Sequence, residues 1–219
     1  MARACGGVSI YILAAETPRR GVSFLARAEA KPMKGKKLIV GVTGGIAAFK
    51  AAQLVSTVRQ SGADVTVVMT REAQQFVTPL TFQALSQKKV VTDLFTLDRP
   101  DIVHVALADW PDLIIIAPAT ANIIAKIATG IADDVLTCIV MSTRAPILLA
   151  PAMDCGMWGS PILQRNLDTL RKIGVHIVGP RKGHLASGKT GMGRMVDVET
   201  IIAAAKDVLK SGKVKTETV

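Results

Sequence analysis

Short apolar runs alternate along the chain with stretches whose apolar positions recur at helical spacing. Residues 38–43, 64–69, 113–116, 147–150 and 175–178 read as strands, and the run at 113–116 is of the kind a strand buried on both faces shows. Helices are predicted from the Gly44-Gly45 turn to about Gln60, near 71–76, and over 80–86, 122–129, 133–142, 157–172 and 199–209. Residues 87–103 read as irregular, and 104–107 as a short segment, extended or helical. In the central stretch, Ala117-Pro118-Ala119 ends the strand because proline supplies no ladder donor, and Thr120 or Asn122 caps the apolar helix that follows. That stretch has the length of a membrane span, but Pro118, Lys126, Asp133 and Asp134 argue against one. Strands alternating with helices imply right-handed crossovers and a parallel sheet covered on both faces, an α/β architecture. Ligands of such sheets bind beyond the carboxyl ends of the strands. No internal repeat is visible.

Composition narrows this picture. A chain of 219 residues suits one α/β domain, and 49% apolar with only 4% aromatic residues gives an aliphatic core. The net charge of +10 is concentrated at one end: residues 1–37 carry +6 of it, and the rest of the chain has its signs interspersed. No aromatic-studded basic face appears, which argues against nucleic-acid binding. Cys5, Cys138 and Cys155 are odd in number and form no CxxC, and the three histidines are scattered. This pattern excludes a disulfide framework and a zinc site, and points to a reducing compartment such as the cytoplasm. Residues 1–35 read as an N-terminal extension, disordered or a mis-assigned start. Their apolar run is cut by Ser9 and followed by Glu16 and Pro18, which is poor for a secretory signal, although Arg3, Arg19, Arg20 and Arg27 lend a faint organellar-transit character. Met33, directly before the first strong strand, makes a natural beginning, and residues 36–219 form the folded domain.

Four stretches carry candidate chemistry. The first is the turn Gly41-Val42-Thr43-Gly44-Gly45-Ile46-Ala47-Ala48, where glycines admit a phosphate to the backbone and a helix N-terminus offers free N–H groups. It is neither GxGxxG nor a P-loop. No acid closes the second strand to bind an adenosine ribose; Met69-Thr70-Arg71 stands there instead, with a hydroxyl and a guanidinium suited to a terminal phosphate. A mononucleotide therefore fits better than a dinucleotide, with a tight packing turn as the other reading. The second is His104, whose ordinary pKa of about 6.5 suits a base near neutral pH. A lone histidine beside apolar residues is more often a satisfied structural one, and His176 and His184 invite the same argument. The third is Ala150-Pro151-Ala152-Met153-Asp154-Cys155-Gly156-Met157-Trp158, a ligand crevice or a loop with Asp154 as helix cap. The fourth runs from Gly183 to Arg194, glycine-rich, a mobile flap or a plain loop with Lys189 and Arg194 available for an anion.

Taken together, GVTGGIAAFK, VTPLTFQALS, APATANIIAKIATGIADD, PAMDCGMW and ASGKTGMGRM, in this order over residues 36–210, resemble the flavin-dependent cysteine decarboxylase family, the phosphopantothenoylcysteine decarboxylases above all. The resemblance implies a doubly wound, Rossmann-like flavoprotein sandwich that binds FMN at a subunit boundary and assembles as a homo-oligomer, a trimer or a dodecamer. By the same matching, Gly44, Gly45, Ile46, Ala47, Thr70, Phe76, Pro118, Ala119, Thr120, Ala121 and Ala152 contact the cofactor. His104 takes the catalytic position, and Asp154, Met157, Lys189 and Arg194 take substrate-binding positions. The implied reaction is decarboxylation of 4′-phospho-N-pantothenoylcysteine to 4′-phosphopantetheine in coenzyme A biosynthesis, with no nucleic-acid or membrane partner. In it, the cysteine unit is oxidised to a thioaldehyde-like species, loses carbon dioxide, and is then reduced back. The ligase half fused in many bacterial members is expected to be absent.

Two positions depart from the family. Asp154 replaces an asparagine that donates a hydrogen bond to the substrate carboxylate, and an ionised aspartate repels that group unless protonated or paired, with Lys189 or Arg194 as candidate partners. Ser187 stands where a cysteine donates a proton in the final reduction. The alternatives left open are an oxidative decarboxylase of peptidyl C-terminal cysteine, which needs no returning proton, and a non-catalytic FMN-bound regulatory subunit. A prenyl-transferring relative fits less well, because its serine-containing first turn is absent.

Overall fold

The computed structural model describes residues 33–95 and 102–211. Most of the proposed N-terminal extension therefore lies outside the described residues. Met33 is fully buried, and its N–H bonds to the Ser61 carbonyl at 3.1 Å.

Strands β1 (Lys37–Val42), β2 (Asp64–Met69), β3 (Leu113–Ala119), β4 (Ile147–Pro151) and β5 (His176–Ile177) form one parallel sheet in the order β2-β1-β3-β4-β5. Although the strand sequences are almost wholly apolar, their two-residue period still divides them. Leu38, Val40 and Val42 of β1 and Leu113, Ile115 and Ala117 of β3 enter one core cluster; Ile39, Ile114 and Ile116 enter the other. The first cluster is closed by α1 (Ala48–Gln60), α2 (Pro79–Ser86) and α8 (Val198–Ser211). The second is closed by α3 (Val103–Asp109), α4 (Ala121–Thr129), α5 (Val135–Ser142) and α7 (Pro161–Lys172). A Cβ at Gly41 would lie 2.8 Å from Leu136 Cδ1, so the glycine is what lets α5 pack directly on β1. The result is a doubly wound three-layer sandwich of parallel strands, in which the direction of strand addition reverses between β1 and β3.

The structure corrects several sequence expectations. Strand β3 does not stop at Ile116. Proline removes one donor and shifts the register between Ile116 and Ala119, but pairing resumes at Ala119 with Pro151, and the Pro118 and Ala119 carbonyls still find donors. Thr120, not Asn122, caps α4, accepting from the Ile123 N–H at 3.4 Å. Residues 44–47 form a turn, and the first helix opens only at Ala48. The single helix expected over 157–172 is two, α6 (Cys155–Trp158) and α7, parted at Gly159-Ser160 with Pro161 opening the second. The segment at 104–107 is helical, within α3. The glycine-rich stretch is not a plain loop: β6 (Arg181–His184) and β7 (Thr190–Arg194) form an antiparallel hairpin. No helix among the described residues is long and apolar enough to cross a membrane.

Candidate active site

The residue that follows each of the four long strands faces one common space. Thr43 after β1, Thr70 after β2, Thr120 after β3 and Ala152 after β4 all line a cavity of about 910 Å³ beyond the carboxyl edge of the sheet. A hydroxyl braces the switch point: Thr43 Oγ1 donates to the Pro118 carbonyl at 2.7 Å and accepts from the Thr120 N–H at 3.3 Å. The Ala152 N–H donates to the Ala119 carbonyl at 3.0 Å, tying the third and fourth strand ends together.

The turn at 44–47 is built as an anion cradle. The Gly45 N–H bonds back to Thr43, and those of Ala48, Phe49 and Lys50 bond to the carbonyls of Gly45, Ile46 and Ala47. The N–H groups of Gly44, Ile46 and Ala47 have no acceptor among the described residues. They lie where the positive end of the 13-residue helix α1 adds to their charge. Across the turn, buried Thr70 accepts the Ala73 N–H on its Oγ1 at 3.3 Å, which leaves its own proton to donate. A Cβ at Gly44 would collide with Glu72 Cβ and approach Glu72 backbone to 3.1 Å, so only glycine permits this turn. Glu72 also lines the cavity, but the residue is exposed and solvent screens its charge. The donor set fits a phosphate monoester.

The opposite wall is formed by the loop after β4 and by the hairpin. The Met153 N–H donates to the Gly193 carbonyl at 2.9 Å; Gly193 has φ +140°, and a Cβ there would strike the Met153 carbonyl. Asp154 Oδ1 accepts from the Gly156 N–H at 2.9 Å, capping α6, and Oδ2 accepts from the Ser187 hydroxyl at 2.7 Å. Lys189 Nζ stands 4.0 Å from Oδ1. The Gly156 N–H first, then the Ser187 hydroxyl and the Lys189 charge, hold the Asp154 carboxyl below its ordinary value.

Of the sequence-predicted residues, Gly44, Gly45, Ile46, Ala47, Thr70, Thr120, Ala121, Ala152, Asp154, Met157, Ser187 and Arg194 line this cavity. Pro118 and Ala119 do not; they are buried beneath it and act through their carbonyls. Phe76 lies outside on the surface, 49% exposed. Lys189 is exposed and reaches only Asp154. His104, the second residue of α3, is also outside the cavity of its own chain, and its Nδ1 is buried without a partner. Sequence reasoning missed Lys50, Glu72, Asn122 and Asp134 as lining residues. Asn122 and Asp134 stand inside the motifs quoted above and Lys50 ends the first of them, so their neighbourhood was visible but their orientation was not.

Comparison with known proteins agrees with this geometry. The Flavoprotein family profile matches residues 26–210. The bifunctional coenzyme A biosynthesis protein CoaBC of Bacillus subtilis is 45% identical over 175 residues, which cover 80% of this chain and 43% of that protein. CoaBC of Escherichia coli is 43% identical over 79% of this chain and 43% of its own length. The chain thus spans less than half the length of these relatives. Among solved structures, the FMN-dependent cysteine decarboxylase SpaF superposes with a TM-score of 0.71 at 33% identity, covering 81% of this chain and 97% of that one. A PPC decarboxylase variant complexed with pantothenoylaminoethenethiol gives 0.71 at 28% identity, covering 80% and 98%. A doubly wound sheet, a mononucleotide-type turn at its switch point and a profile spanning nearly all the described residues lead to one assignment: the chain belongs to the Flavoprotein family.

Proposed function

We propose that this protein is an FMN-dependent decarboxylase that converts 4′-phospho-N-pantothenoylcysteine to 4′-phosphopantetheine and carbon dioxide, a step of coenzyme A biosynthesis. The observation that carries the reading is the cradle of unpaired Gly44, Ile46 and Ala47 N–H groups facing the free proton of Thr70 at the sheet's switch point. When bound, FMN would supply a two-electron acceptor that takes electrons from the cysteine unit and returns them. The cradle would hold its phosphate, while Thr120, Ala121 and Ala152 would border its ring; small side chains there leave room for a flat group. The overall reaction exchanges a carboxylate for a proton with no net redox change.

The base assigned to the reaction is His104. Because it is absent from the cavity of its own chain, it would serve the cavity of a second copy, in a homo-oligomer of trimeric or dodecameric form. Its orphaned Nδ1 is the kind of buried polar atom that such a neighbour would satisfy. The proposal includes a cytoplasmic location, which the free Cys138 and Cys155 support.

One observation favours a second reading, oxidative decarboxylation of a peptide's C-terminal cysteine. The Ser187 hydroxyl already donates to an ionised Asp154, so it is poorly placed to return a proton. Incubating the FMN-loaded protein with phosphopantothenoylcysteine separates the two. Carbon dioxide with stoichiometric 4′-phosphopantetheine and no oxygen uptake is expected. Accumulation of an enethiol with oxygen consumption would favour the second reading, and no carbon dioxide at all would remove the first.

A further inference from the structure

Positive charge gathers among the side chains that line the cavity. Lys50, in the first turn of α1, and Arg194, at the end of β7, are both half-buried and both line the cavity. Arg181, which pairs with Arg194 in the hairpin register, adds a third cation. Asp197 opposes the charge at Lys50, and its carboxylate is engaged by the Arg181 guanidinium. Lys50 and Arg194 have no ion-pair partner among the described residues. Burial first, then the charge of Arg194, hold the Lys50 ammonium below its ordinary value, with Asp197 opposing and Arg181 adding. The cavity therefore carries two half-buried cations, Lys50 and Arg194, that no carboxylate among the described residues neutralises in an ion pair.

We propose that Lys50 and Arg194 form a second anion subsite, which takes the phosphoryl group of the substrate and leaves the cradle to the phosphate of the cofactor. A dianion between a lysine and an arginine makes charge-assisted hydrogen bonds and relieves the repulsion that two half-buried cations otherwise carry. Arg194 supplies a planar fork and Lys50 a point charge, the usual pairing for phosphate. The identity of the phosphoryl group rests on the proposed function; the existence of the subsite rests on the charges alone. A hairpin residue in the subsite also makes substrate a clamp that ties β7 to α1.

The test uses the FMN-loaded full chain and two probes, 4′-phosphopantetheine and pantetheine, titrated calorimetrically. The unsubstituted protein should bind the phosphorylated probe about 10- to 100-fold more tightly, the worth of one or two charge-assisted hydrogen bonds. In the double variant Lys50→Gln/Arg194→Gln the two affinities should converge, and Lys50→Arg alone should keep most of the preference. Apoprotein of the double variant should still prefer FMN over riboflavin as the unsubstituted apoprotein does. Loss of that flavin preference would give the cations to the cofactor phosphate and overturn the proposal. So would equal affinity of the unsubstituted protein for the two probes. A preference for the phosphorylated probe that survives in the double variant, in a protein that turns over phosphopantothenoylcysteine, would overturn the subsite and leave the reaction standing. A preference lost in the double variant, with no turnover by the unsubstituted protein, would support the subsite and remove the reaction.

Discussion

Asp154 and Ser187, the two positions that the sequence reading set apart from the family pattern, are bonded to each other. An aspartate alone at the mouth of an anionic substrate's site would repel it. Here the Gly156 N–H and the Ser187 hydroxyl already occupy the carboxylate, and Lys189 rather than Arg194 is the nearby cation. The folded-state pKa of Asp154 is lowered, so this tie contributes above the unfolded value of about 3.9 and is lost as pH falls through the lower folded value. Asp154 is therefore a carboxylate throughout the neutral range. Ser187→Ala should move the Asp154 titration upward, toward the ordinary value, in a carbon-detected NMR titration; an unmoved midpoint would show the hydroxyl to be a spectator. At His104, substitution by asparagine keeps the ring's approximate size and hydrogen bonding but removes the proton acceptor. His104→Asn should retain FMN and lower turnover by roughly 10²–10⁴-fold, the range of general acid–base groups. Near-normal carbon dioxide release by that variant would exclude the assigned base. The cradle was legible in the sequence because glycine and helix N-terminus are local. The Asp154–Ser187 bond was not, since its partners lie 33 residues apart and meet only through the hairpin.

Elements were read best where a period of two or 3.6 was strong. Strands and helices of the sandwich appear within a few residues of their predicted bounds, because the two cores demand that periodicity. The hairpin was missed for a physical reason: β6 (RKGH) and β7 (TGMGR) have no apolar alternation of their own. They are held by docking, with Gly193 bonded to Met153 and Gly191 so close to Cys155 that a Cβ would lie 2.7 Å from its Cβ. The break before α7 did carry a signal, Ser160 followed by proline at the first helical position. At the start of α5, Asp134 and Thr137 form a reciprocal capping box, at 2.8 and 3.1 Å, and Asp134 also binds Lys126 of α4. Removing the carboxylate by Asp134→Ala frees one backbone donor, the Thr137 N–H, while Lys126 keeps its pair with Asp133, and should cost about 0.5–2 kcal/mol. A lower urea midpoint at unchanged slope would report that loss; an unchanged midpoint would show that solvent replaces the cap without cost.

On the scale of the whole molecule, large apolar side chains cluster in sequence just past the carboxyl ends of the first two strands and around the assigned base. Ile46 precedes α1 and Phe49 lies in its first turn, Phe76 and Leu80 follow β2, and Ile102 and Val105 stand on either side of His104 at the start of α3; all are 48–72% exposed. Exposed apolar side chains gathered beside a site, rather than scattered, favour burial against another copy. In the proposed oligomer, such burial would account for the catalytic candidate that the single chain does not bring to its cavity. It also makes the assembly testable through activity. His104→Asn should leave an intact cavity without a base. Gly44→Ala should leave the base intact but empty the cradle of FMN, because a Cβ at Gly44 collides with Glu72. Each variant alone should be inactive. Co-refolded in equal amounts as trimers, about one quarter of the sites would pair an intact cavity with an intact histidine from the next copy. Recovery of activity toward that fraction, from two inactive chains, requires a site shared between copies. A mixture that refolds into oligomers yet stays as inactive as its parts would place cavity and base in the same chain, and the assignment of His104 would have to be abandoned.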